Sequence, residues 1–289
     1  MLFRSFEQLL AELGPPLYRL RQRLEIGDYQ AAAEPAEALY PKFAERKSQT
    51  AYLVCQATMW SRLASGKRET AVEPYLRCFE LLRSKMAVSA ALPGNRRLTT
   101  DAATGISAEI APVWFDATAA KSVLPSVQQA IRALTQPRPE GAYVYYATLA
   151  IAAGESREVE RVLPQIASEP MVAWRDIVLA ERELAADSPG NASERLRLSL
   201  ETIPVACRPL ALFLGGQAAI RSNDETMIRD GVLALLTVPA AYGREQPELS
   251  ASCLYEAAVA LDKLKDTASA AAVRRELKQY AAKSHVSRD

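Results

Sequence analysis

Histidine is almost absent: His285, close to the C-terminal end, is the only one in 289 residues. Nucleophilic systems of the Ser-His-Asp or Cys-His kind need a histidine held inside a folded site. Zinc sites of the His-Glu-x-x-His type need two. Cysteine is nearly as scarce. Cys55, Cys78, Cys207 and Cys253 form no Cys-x-x-Cys pair and have no histidine beside them. All four fall within apolar helical pattern and read as core residues. Cys55 and Cys78 stand where they could meet across one hairpin, so a disulfide in an oxidising compartment is left open.

Glycine numbers only 12, and neither a Gly-x-x-x-x-Gly-Lys-[Ser/Thr] loop nor a Gly-x-Gly-x-x-Gly turn after a strand occurs. Gly215-Gly216-Gln217 lies inside an apolar helical run and reads as helix packing. Neither sign of charge dominates, with 35 basic against 34 acidic residues interspersed. No basic face is built to neutralise a row of phosphates, and nucleic acid is not expected as a partner. Carboxylate pairs such as Glu158 with Glu160 stand two apart, which points them to different helix faces.

No stretch of about 18 uncharged apolar residues is present, so membrane insertion is not expected. Glu7 and Glu12 interrupt the amphipathic start, which makes it a poor signal-peptide core. The compartment reads as cytoplasmic where Met1 is the native start, and as periplasmic or secreted where a signal has been removed. No cofactor or metal is expected.

What the chain does contain is hydrophobic mass, 49% of residues, with alanine-rich runs such as Ala31-Ala32-Ala33 and Ala270-Ala271-Ala272. Such runs favour helix throughout. A turn grammar recurs. At Ile26-Gly27-Asp28 a helix ends where glycine takes the left-handed conformation at least cost, and an aspartate caps the next helix. The pattern returns at Ser65-Gly66-Lys67, 39 residues on, and at Ala153-Gly154-Glu155. Weaker versions lie at Asp116, Asp187, Ser222-Asn223-Asp224 and Lys265-Asp266.

Around these turns small residues recur twelve positions apart: Ala108 with Ala120, Ala147 with Val159, Ala180 with Ala192, Gly216 with Ile228, Ala258 with Ala270. Leu20 with Ala32 and Met59 with Ala71 match at one position of two. Antiparallel helices approach within about 8–10 Å only where the crossing side chains are small. Pro170, Pro204 and Pro239 stand where each second helix should end.

These features resemble the tetratricopeptide repeat, though the turn spacing is uneven against a repeat of about 34 residues. The resemblance implies an all-α fold, a right-handed α-α superhelix (solenoid) of about seven hairpins, as a single domain over residues 1–289. Residues 1–13 read as a capping helix, and residues 84–104, with Pro93-Gly94-Asn95, as one long loop with few backbone partners.

In that class first helices line a concave groove. Carrying this over gives Trp60, Glu109, Thr148, Trp174, Glu181, Phe213, Gln217, Arg221 and Tyr255 as lining candidates, with Arg21, Gln56, Asp262 and Lys263 beside them. Trp60, Trp174 and Phe213 have a plainer reading as fill between hairpins. The function implied is a non-enzymatic scaffold that binds a peptide or protein partner along the groove. A self-assembling architectural subunit, and hence a homo-oligomer, is the alternative, and an α-helical enzyme ranks third.

Overall fold

The computed structural model describes residues 6–90, 92, 98–199, 203–243 and 246–281, with side chains undescribed at 6–14, 198, 199 and 281. Among the described residues the chain is all-helical: thirteen α-helices, five short 3-10 turns and no strand. It divides into two compact units. One comprises residues 1–99 with 126–137, the other residues 100–125 with 138–289.

The first unit holds α1 (Phe6–Glu25), α2 (Ala33–Phe43), α3 (Gln49–Ala64) and α4 (Val72–Arg83). Each packs on the next in chain order. Tyr52, Met59, Tyr75 and Leu76 are fully buried between them. Arg62 ties α3 to α2, donating to both carboxylate oxygens of Glu37 at 2.7 and 2.8 Å and to the carbonyl of Thr70 at 2.6 Å. Those bonds hold the Glu37 carboxyl below its ordinary range. All four cysteines of the chain are free thiols and buried.

The second unit holds α6 (Glu140–Ala152), α7 (Ser156–Val162), α8 (Val172–Ala185), α9 (Pro189–Ser199), α10 (Arg208–Ile220), α11 (Glu225–Tyr242), α12 (Pro247–Lys263) and α13 (Thr267–Ala281). They pair as hairpins: α6 with α7, α8 with α9, α10 with α11, α12 with α13. The first helices also pack on one another, α6 on α8, α8 on α10 and α10 on α12. The division between the units passes through α5 (Ala117–Ala133) at Pro125.

The turn grammar of the sequence has a common geometry. After α1, α3 and α6 the chain turns at Gly27, Gly66 and Gly154 with φ of 72°, 63° and 73°. After α8 and α12 the same place is taken by Asp187 and Lys265, with φ of 55° and 61°. At all five the next amide bonds back to a carbonyl five residues earlier, as Asp28 does to Arg23 and Ser188 to Glu183. This closes the helix end by satisfying carbonyls that lack an intrahelical partner. A non-glycine residue there costs roughly 1–2 kcal/mol, which is why the last two turns are weak in sequence. Asp28, Asp116 and Asp266 then accept from backbone amides three residues on, and Asp224 from one two residues on.

The small pairs are buried in six of the seven hairpins read from the sequence. Gly216 and Gly231 meet where α10 crosses α11. A Cβ on Gly216 would lie 2.6 Å from the Cγ of Leu235, and one on Gly231 would lie 3.0 Å from the carbonyl oxygen of Gly216. Backbone therefore touches backbone. The exception is Ala108, which is exposed on a 3-10 turn (Ala108–Ile110) and pairs with nothing across a hairpin, although Ala120 is buried.

Three further expectations are corrected. Pro239 does not end the second helix of its hairpin; α11 runs through it to Tyr242. A proline inside a helix costs about 3 kcal/mol, and burial of α11 between α10 and α12 outweighs that. Secondly, α1 is continuous from Phe6 through Pro15 and Pro16, so no break sets off a separate capping helix; residues 1–5 lie outside the described residues. Thirdly, the segment 84–104 is not poor in partners. Val88 exchanges two hydrogen bonds with the side chain of Gln49, at 2.8 and 3.1 Å, and Gln56 donates to the carbonyl of Ala90. Asp101 accepts from the amides of Ala103 and Thr104. Residues 91 and 93–97 of the segment lie outside the description.

The α10–α11 crossing predicts that Gly216→Leu lowers stability by about 1–3 kcal/mol through overpacking. Gly231→Ala should also destabilise, despite a gain in helix propensity of about 1 kcal/mol. Urea denaturation midpoints at unchanged slope measure both, and unchanged midpoints would place the crossing elsewhere.

Candidate functional site

Of the groove candidates, Arg21, Gln56 and Trp60 fall in the first unit and the others in the second. Trp60, on α3, is half-buried with its ring 6.4 Å from that of Tyr29. Those of the second unit are spread over an arm, residues 100–115, the first helices α6, α8, α10 and α12, and Arg221 at the end of α10.

The α6 face is built from Gly141, Tyr145 and Thr148, spaced four and three apart and so stacked on one side of the helix. That side is filled by the arm. The Gly141 amide donates to the Thr104 carbonyl at 2.8 Å. A Cβ on Gly141 would lie 2.2 Å from that same oxygen, so only glycine admits the arm's backbone. The Ser107 amide donates to the Tyr145 hydroxyl at 3.0 Å, and the Trp114 indole donates to the Thr148 hydroxyl at 2.8 Å. The Trp114 and Tyr145 rings stand 6.3 Å apart at 51°, within the range of favourable tilted aromatic pairs. From the start of α12, Gln246 donates to the Ala108 carbonyl at 2.7 Å. Ile106, Ile110, Val113 and Trp114 are buried. Thr148 is thus covered by the chain itself, and Glu109 is half-buried on the arm, accepting from the Ser107 hydroxyl.

Further along, Trp174 and Phe213 are interior, each 4% exposed. Four candidates remain at or near the surface. Arg221 is exposed and donates to the Leu184 carbonyl at 2.9 Å, capping the end of α8. Gln217 is half-buried and donates to Glu256 at 3.4 Å. Tyr255 is 51% exposed. Glu181 is half-buried and makes no hydrogen bond or ion pair among the described residues. Although part of it reaches the surface, enough protein crowds its carboxyl to strip much of its hydration, and burial pushes its pKa up to about 8. Asp262 is paired with Arg274 of the following helix.

The sequence reading missed the arm. The expected loop ends at residue 104, and Ala108 and Glu109 are expected on the first helix of a hairpin; instead residues 100–115 hold only the 3-10 turn Ala108–Ile110, and Gly141 beside them is the one signal of close backbone approach. Elsewhere, burial and the facing Asp101 carboxylate push the Cys207 thiol up to about 12, and burial pushes Cys253 higher still. Such thiols are held in the protonated, unreactive form. Among the described residues no three histidine, cysteine or acidic side chains gather as a metal site, and no helix is long and apolar enough to cross a membrane. His285 lies outside the described residues. Comparison with models of known protein families, with curated proteins and with solved structures finds no match.

Two outcomes are expected. Trp174→Ala should cost about 3–5 kcal/mol as a large-to-small change in a packed interior. Glu181 binds its proton more tightly folded than unfolded, so its contribution is fully present at low pH and is lost as pH rises from the ordinary carboxylate range towards about 8. Unfolding free energies of Glu181→Gln and of the parent protein should therefore diverge with rising pH, in favour of the variant. Parallel curves would remove Glu181 from the account.

Proposed function

We propose that this chain is a non-enzymatic binding scaffold. Its hairpins stack as a right-handed α-α superhelix resembling tetratricopeptide repeats, and a protein or peptide partner lies along the first-helix face of α8, α10 and α12. The observation that carries this reading is the packing of successive first helices on one another, with polar candidates left near the surface of each. Glu181, Gln217 and Arg221 would set specificity. Tyr255 would be the aromatic anchor, since such anchors dominate binding energy while polar neighbours discriminate. Trp174 and Phe213 hold the same helices from the interior.

The alternative, self-assembly, has its own support in Val172, Val205 and Leu233, each more than half exposed. Light scattering separates the two: a monomeric mass independent of concentration removes self-assembly.

For the scaffold, a partner captured from the native cell extract should lose about 30-fold in affinity to Tyr255→Ala, equivalent to about 2 kcal/mol. The stability of that variant should stay within about 0.5 kcal/mol of the parent, because the side chain is exposed. Unchanged affinity would take the partner off this face.

A further inference from the structure

The segment from Thr100 to Pro125 groups with the second unit, whereas the chain on both sides of it, up to Thr99 and from Ser126 to Pro137, groups with the first. The arm, residues 100–115, is packed within the second unit, on α6. The seat reads mainly backbone. Three hydrogen bonds, those of Gly141, Tyr145 and Gln246, end on main-chain atoms of Thr104, Ser107 and Ala108. Thr148 and the Tyr145 ring read a side chain, that of Trp114.

A groove that satisfies the main chain of a bound segment accepts many sequences, and its side-chain seats provide discrimination. Glycine inside a helix destabilises it by about 1 kcal/mol relative to alanine, so Gly141 is explained by the backbone that lies on it. The arm between Ala102 and Phe115 carries a single charged residue, Glu109.

We propose that the Gly141–Tyr145–Thr148 face is a peptide-binding groove occupied in cis by the arm, and that its external ligand is a nearly uncharged protein segment that follows the arm's course, one 3-10 turn included, with a tryptophan seven residues beyond the one whose amide meets Tyr145. The arm then acts as a built-in competitor. A partner that binds here must displace it, and displacement opens a continuation of the first-helix face onto α6. This rests on the scaffold reading, whose partner face on α8, α10 and α12 it extends.

The test uses the full chain in two measurements. In the first, amide hydrogen exchange compares Ile106 and Ser107 with the interior amides of α6. Release of the arm by local opening predicts exchange at least about ten-fold faster in the arm. Equal rates mean the arm leaves only when the unit unfolds, and overturn the proposal. In the second, a fluorescently labelled peptide of the arm sequence from Ala102 to Phe115 is titrated into the parent protein and into Trp114→Ala, whose own arm has lost its anchor. The variant should bind the peptide at least about ten-fold more tightly than the parent, and the further change Thr148→Val should weaken that binding several-fold. A folded Trp114→Ala protein that binds no peptide, or binds it equally well with Thr148→Val, overturns the proposal. If Trp114→Ala does not fold, the exchange measurement on the parent decides alone. A partner sensitive to Tyr255→Ala, with arm amides as protected as those of α6, leaves the scaffold standing and removes the arm as its regulator.

Discussion

Two antiparallel helices bury a shared face only as far as the side chains at their crossing allow them to approach, and the hairpins of this protein depend on that distance. At α10–α11 the limit is reached: Gly216 and Gly231 face each other with no room for a methyl group on either. Elsewhere Ala180 and Ala192, and Ala258 and Ala270, occupy the corresponding places, all buried. The Leu235 side chain closes over Gly216, so the same contact that forbids a larger residue also excludes water. Turn geometry serves this contact. The left-handed residue after α1, α3, α6, α8 and α12, with its bond back across five residues, returns the chain at an angle that brings the second helix onto the small positions of the first.

The arm solves a different problem. A first-helix face bearing Gly141, Tyr145 and Thr148 carries a helix-start amide and two hydroxyl groups, which are costly to bury without partners. The arm supplies each partner from its own main chain or from the Trp114 indole. The result is a helix face that carries polar groups and has the burial of a core. Glu181 is the opposite case, a carboxyl deprived of water without a compensating donor among the described residues, held in the fold because its neutral form is accessible.

Much of this architecture is local and therefore legible in the sequence. Helix content follows from alanine-rich amphipathic runs. Gly27, Gly66 and Gly154 mark turns because a left-handed backbone is a property of one residue, and the pairs twelve apart follow from hairpin geometry with a short turn. The same logic gives weaker signals at Asp187 and Lys265, where a residue with a Cβ takes the left-handed conformation at a cost of roughly 1–2 kcal/mol.

What only the tertiary structure decided is everything that depends on residues distant in the chain. Pro239 reads as a breaker by its own covalent geometry, yet α11 passes through it because two neighbouring helices bury it. Trp174 and Phe213 share a sequence register with Glu181 and Gln217, and only packing sorts the interior pair from the surface pair. The arm has no period of its own; its course is set by a glycine, a tyrosine and a threonine some forty residues away, and by Gln246 farther still. Backbone conformation and helix period are carried by neighbouring residues, so they are written in the chain. The pairing of a carbonyl with a remote amide is fixed only by the space the folded helices leave open.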